Sequence, residues 1–128
     1  MIRNLSQEQL AGILETIPIE FSFVDENDLV RFWNKHETRI FERPMSVMGE
    51  PVQDCHPEQS LDKVNRLLSD LKAGKRDSAE AWIDLKGRKI LIRYFAVRNK
   101  AGKYLGTLET TQDITEIKKL EAEKRLLD

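Results

Sequence analysis

Few side chains in this sequence are equipped for chemistry. His36, His56 and the single cysteine, Cys55, are its whole stock of imidazole and thiol metal ligands, and Cys55 immediately precedes His56 in Asp54-Cys55-His56-Pro57. Zinc takes four ligands in a tetrahedron. An adjacent pair and one distant histidine do not supply them, so no metal site is expected. One thiol also excludes an internal disulfide and a four-thiolate zinc or iron-sulfur centre. Neither histidine is placed by sequence beside a nucleophile and an orienting acid. There is no glycine-rich phosphate loop, Gly-x-Ser-x-Gly elbow or His-Glu-x-x-His. The chain is not expected to be an enzyme. Arg93 is the most informative charge. Strand alternation sets it on one face with Leu91, Phe95 and Val97, where a charge needs a partner. That partner is a carboxylate ligand gripped by the guanidinium fork, an acid such as Glu109 across the sheet, or water reached past a stem lying on apolar surface.

These residues sit in a chain of 128 residues and 14.9 kDa, enough for one compact domain with its own core. Twenty-one Lys and Arg face 22 Asp and Glu, a formal net charge of -1, so no global field exists to hold nucleic acid or an anionic membrane. Charged residues make up 34%, above the roughly 25% of globular proteins, which points to a small core under a solvated surface or to an exposed helical tail. No apolar stretch approaches the ~18 residues that span a bilayer, and Met1 to Ser6 lacks the apolar centre of a signal peptide. With the free thiol, this predicts a cytoplasmic protein.

The elements that must position the candidate residues are legible from pattern. Ser6 and Gln9 form a capping box, Leu5 and Leu10 a hydrophobic staple, and Leu10, Ile13, Leu14 and Ile17 recur at helical spacing until Pro18. Two β-rich runs, Ile19 to Val24 and Leu29 to Trp33, flank the polar turn at Asp25 to Asp28 and read as a hairpin. From Asn34 to Pro57 no period persists, and Pro44, Gly49, Pro51 and Pro57 cut the segment into short turns. After Pro57, Leu61, Val64, Leu67, Leu68 and Leu71 make one helical stripe that Gly74 ends. Three strands follow, Ser78 to Lys86, Lys89 to Arg98 and Lys103 to Gln112, as an antiparallel meander. Ile114 to Leu127 reads as a charged helix with a narrow apolar seam.

This order, with Asp25, Val30 and Asn34 in the hairpin, Met48-Gly49 at a mid-chain turn, Gly102 and Gly106 in the last strand and Asp113-Ile114-Thr115 at its exit, resembles the PAS domain. The resemblance covers nearly the whole chain. It implies an α+β fold: a five-stranded antiparallel sheet with helices on one face, plus N-terminal and C-terminal flanking helices. The implied divisions are an amphipathic helix over 1–17, a PAS core over 18–113 and a C-terminal signalling helix over 114–128. Cys55-His56-Pro57, Gly74-Lys75-Arg76-Asp77, Ile92 to Arg98 and Tyr104 to Glu109 further resemble the C-terminal PAS domain of prokaryotic proteins that also carry a hemerythrin-like domain.

The resemblance implies a sensory module that binds a small ligand between sheet and helices and signals by rearranging a dimer and its terminal helices. The fold alone does not fix that function. The implied pocket is roofed by Val47, Val52, Val64 and Leu68 and floored by Val24, Trp33, Ile83 and Arg93, with His56 at its edge. Haem-binding members place an axial histidine near this point of the chain, so His56 is a haem candidate, although it precedes Pro57 rather than standing within the helix. A flavin photosensor needs its cysteine in Asn-Cys-Arg, which Asp54-Cys55-His56 is not. Asp113 and Thr115 would fix the exit by hydrogen bonds. Ile117, Leu120 and Leu127 at near-heptad spacing, interrupted by Lys124, suit either a coiled coil in a homodimer or a helix packed on its own domain. A module that only dimerises, through the N-terminal helix and the outer sheet face, is a further alternative.

Overall fold

A computed structural model describes residues 1–127. The sequence expectations for the core hold. Helix α1 spans Gln7–Thr16 and opens on the expected capping box: the Gln9 amide donates to Ser6 Oγ, and the Ser6 amide donates to Gln9 Oε1, both at 2.9 Å. Strands β1 (Glu20–Asp25) and β2 (Val30–Trp33) form the hairpin. Its turn is held by Asp25, whose carboxylate accepts from the amides of Asn27 and Leu29 and from Arg31.

Three short 3-10 turns, Met45–Val47, Val52–Cys55 and Glu58–Ser60, break up the aperiodic segment before α2 (Leu61–Ala73). Helix α2 stops at Gly74, which sits in the left-handed region and returns its amide to the carbonyls of Asp70 and Leu71. Strands β3 (Ser78–Leu85), β4 (Arg88–Arg98) and β5 (Tyr104–Asp113) complete one sheet in the order β2-β1-β5-β4-β3, antiparallel at every pairing.

The core lies between this sheet and α2 with its preceding turns. Val24, Val30, Trp33, Val52 and Leu68 form a buried cluster, with Val47, Cys55 and Val64 packed against it. Leu71 is fully buried. In β5, Gly106 is required by close approach: a Cβ there would collide with the Val24 carbonyl oxygen and lie 2.6 Å from the Phe23 ring.

The terminal elements depart from expectation in different ways. Helix α1 forms, but none of its residues is buried. The helix predicted over 114–127 does not form: the described tail holds one 3-10 turn, Ile117–Lys119, and Leu120, Leu126 and Leu127 are exposed. The physical reason is that a helix this short is marginal alone, and its thin seam finds no surface of the domain to pack on.

Candidate functional site

A cavity of about 30 Å³ opens where β1, β4 and β5 meet α2 and the segment before it. Val24, Val30, Val52, Val64, Leu67 and Leu68 make its apolar side, and Ser22, Arg43, His56, Tyr94, Thr107 and Glu109 make its polar end. Such a volume holds about one or two waters.

The polar end is built from the aperiodic loop upward. Arg39 is nearly sealed, with 1% of its side chain exposed, and lies 3.3 Å from Glu20, itself 4% exposed. Its guanidinium donates to the carbonyls of Phe21, Asn34 and Phe41 and to Ser22 Oγ. The Glu20 carboxylate in turn accepts from the amides of Ile40 and Phe41. This clamp holds the loop on β1, and so delivers Arg43. Arg43 Nε donates to Ser22 Oγ at 3.0 Å, and its Nη2 meets Glu109 Oε1 at 2.9 Å. Thr107 is engaged by the Tyr104 hydroxyl at 2.6 Å.

His56 follows the Val52–Cys55 turn and projects into this end of the cavity. Burial pushes its pKa below the usual imidazole value, Arg43 acts in the same direction, and Glu109 partly opposes them. The ring is therefore neutral at neutral pH. Tyr94 stands directly across the strands from Glu109. Burial, then the neighbouring carboxylate, push its hydroxyl pKa far up, so it keeps its proton. Burial likewise raises the Cys55 thiol, with Arg43 opposing; it is a packing residue and a poor metal ligand. His36 accepts the Trp33 indole N–H at 2.9 Å. Among the described residues, no group of three or more His, Cys, Asp or Glu is placed to hold a metal.

Of the residues named from sequence, Val24, Val52, His56, Val64 and Leu68 line the cavity together. Trp33 and Val47 belong to the packing behind it. Ile83 and Arg93 do not reach it. Ile83 pairs with Ile90 toward the end of edge strand β3 and is 39% exposed. Arg93 occupies the row of Glu80 and Thr110, whereas its neighbour Tyr94 occupies the cavity row with Glu109. Alternation was read correctly from sequence, but the row of Arg93 faces away from the helices. Nor is Glu109 its partner, since that carboxylate pairs with Arg43. The Arg93 guanidinium lies 5.8 Å from the Phe95 ring centre.

Sequence reasoning missed Ser22, Val30, Arg43, Leu67, Tyr94, Thr107 and Glu109 as cavity residues. One signal was available: Glu20 and Ser22 alternate with apolar residues in phase with buried Val24, and an inward acid in a strand demands a cation from elsewhere.

Haem does not fit the site. Pockets for drug-sized ligands run to about 300–1,000 Å³, an order of magnitude beyond this cavity, and the Arg43–Glu109 pair lines the same polar end as His56.

At the far end of β5, Asp113 and Thr115 make the exit hydrogen bonds anticipated from sequence. Asp113 Oδ1 accepts from the Thr115 amide at 3.0 Å and from its hydroxyl at 2.6 Å, and Arg88 Nε donates to Asp113 Oδ2 at 2.8 Å. Thr115 Oγ1 accepts from the Lys89 amide, and the Ile114 amide donates to the Lys89 carbonyl. Arg88 and Thr115 hold the Asp113 pKa down to about 2. The junction is thus stapled to the start of β4.

Comparison with known proteins agrees with this architecture. A PAS domain family model matches residues 10–115. The crystal structure of a C-terminal domain from Streptococcus mutans is 35% identical, covers 91% of each chain and superposes with a TM-score of 0.86. The PAS domain of Bordetella pertussis BvgS is 16% identical over 84% of this chain and 85% of its own, with a TM-score of 0.64. A sensory box sensor histidine kinase from Vibrio cholerae is 14% identical over 83% and 89%, with a TM-score of 0.59. No curated protein matches. No helix among the described residues is long and apolar enough to cross a membrane. On the family match over residues 10–115, the chain belongs to the PAS domain family.

Proposed function

We propose that this chain is a non-catalytic sensory module that binds a small ligand in the cavity between α2 and the sheet and signals through β5. The observation that carries this reading is the cavity itself, apolar on one side with a preassembled polar end, in a protein interior that ordinarily leaves few voids larger than a water. Glu109 lies on the strand that runs into the Asp113 junction, so a ligand touching the polar end acts on the strand that leads out. It does so only by binding two arrangements with different affinity. In this reading the module is cytoplasmic and has no nucleic-acid or membrane partner. The sensor histidine kinase among the structural neighbours is in keeping with the sensory role. The likeness to a C-terminal domain supports placing the module at the end of a longer protein, with a hemerythrin-like partner domain as the specific form of that proposal.

A homodimer is part of the reading, and a specific observation favours it. Ile13 of α1 and Leu5 just before the helix are 45% and 38% exposed, beside a shallow apolar groove lined by Gly12, Ile17 and Pro18. A second copy would cover this face, and its pairing would give the tail after Thr115 the partner that a coiled coil needs. A monomer at high micromolar concentration by light scattering would remove the dimer from the account.

The ligand reading is tested by native mass spectrometry and a thermal-shift screen on freshly purified protein. A co-purified mass or a stabilising compound supports it. No bound mass, together with no stabilisation across a broad panel, leaves dimerisation as the function. An unchanged free-haem spectrum on haem addition is the expected outcome for that cofactor.

A further inference from the structure

The polar end of the cavity is already electrically balanced, and its hydrogen-bonding groups are nearly all spent. Arg43 and Glu109 cancel each other at 2.9 Å, with 10% and 13% of their side chains exposed. Ser22 Oγ accepts from both Arg39 and Arg43, and Thr107 is held by Tyr104. Two groups remain. The His56 ring hydrogen-bonds to no other side chain among the described residues, and the Tyr94 hydroxyl stands beside Glu109 with its oxygen still able to accept from a ligand. Both are uncharged.

A carboxylate entering here would have to take Arg43 from Glu109, leaving a buried anion without a partner, or else set two anions around one cation. An ammonium would take Glu109 and strand Arg43 in the same way. Breaking a buried pair on one side is costly because it leaves an uncompensated charge. A neutral head group incurs neither cost, and it can donate to or accept from the neutral imidazole and the phenol. The volume adds a second restriction. About 30 Å³ admits little more than one or two waters, which limits the ligand to a few non-hydrogen atoms, the apolar ones lying against Val24, Val30, Val52 and Leu68.

Resting on the ligand-binding reading above, we infer that this cavity selects a small uncharged molecule with one hydrogen-bonding head, in the class of short amides, alcohols and aldehydes, and rejects carboxylates and ammonium ions of equal size. Tyr94 and His56 recognise the head, and the Arg43–Glu109 pair enforces neutrality.

The test is a methyl and amide NMR titration of the full chain with acetamide, acetate and ethylammonium at equal ionic strength. Acetamide should move the Val24, Val52 and Leu68 methyl resonances, with a Kd at least tenfold below those of the two ions. Tyr94→Phe should weaken acetamide severalfold while leaving the fold intact. Glu109→Gln, which makes the site cationic, should improve acetate at least tenfold relative to acetamide. Should Glu109→Gln fail to fold, the three-probe comparison on the unmodified chain decides alone. Acetate or ethylammonium binding in the cavity as tightly as acetamide overturns the neutral-ligand inference and leaves the ligand site standing. Absence of cavity shifts with all three probes overturns the inference; if the native mass spectrum and broad screen are also blank, the ligand-binding reading falls with it.

Discussion

Arg43 and Glu109, 66 residues apart in sequence, meet at 2.9 Å and join the loop after β2 to the central strand β5. The pair sits at the polar end of the cavity and ties the segment that covers the site to the strand that leaves it. Most of what the domain is expected to do depends on that relationship.

Because both side chains are largely buried, removing one leaves the other charged and unpaired. Arg43→Met should cost about 3–5 kcal/mol in urea unfolding. The double variant Arg43→Met/Glu109→Leu should recover much of that loss. A single variant within about 0.5 kcal/mol of the parent would mean that the pair behaves as a solvated surface contact.

His56 gives the domain a pH dependence whose sign follows from its environment. Burial, reinforced by Arg43, sets its folded pKa below the unfolded value of about 6.5. The unfolded chain therefore takes up the proton first as pH falls. The contribution of His56 is full above about pH 6.5, declines as pH falls through that value and levels off below the folded pKa. His56→Gln should show a shallower loss of stability between pH 7 and 5 than the parent. Identical slopes would place the imidazole in water.

Gly106 is the position where sequence tolerance should be lowest. A side chain there is opposed by the Val24 carbonyl and the Phe23 ring, with φ at +155°. Gly106→Ala should destabilise by about 2–4 kcal/mol. Gly74→Ala, which faces only Arg98 Nη2 at 3.8 Å, should cost about 1–2 kcal/mol for its left-handed backbone. Equal effects at the two sites would contradict the close packing of β5 on β1.

The junction after β5 should loosen when its hydroxyl is lost. In Thr115→Val the Lys89 amide loses its acceptor, and its hydrogen exchange should accelerate at least tenfold while core amides stay protected. Asp113, with a folded pKa of about 2, stabilises the fold above its unfolded value of about 3.9 and loses that contribution as pH falls toward 2. Asp113→Asn should therefore flatten the acid limb of the stability curve. Unchanged Lys89 exchange in Thr115→Val would show that the exit is held elsewhere.

Much of this fold was legible in the sequence because its elements announce themselves locally. The Ser6/Gln9 box, the stripe from Leu61 to Leu71 and the three alternating strands each carry a period or a cap. The site was less legible because its polar half is assembled from positions without a period. Arg39 and Arg43 lie in the segment from Asn34 to Pro57 where no pattern persists, and only the sheet register shows that Tyr94, not Arg93, faces inward. The C-terminal helix was misread for the opposite reason: its residues have helical spacing, but too few of them are apolar and the domain offers them no surface.

The most direct measurement is a crystal structure of freshly purified protein beside that of Val64→Phe, a substitution that fills the cavity from α2. The account predicts ordered density for a small molecule between Val24, Val52 and Leu68 on one side and His56 and Tyr94 on the other, and its loss in Val64→Phe. A cavity that is dry or holds only water in both proteins would contradict it.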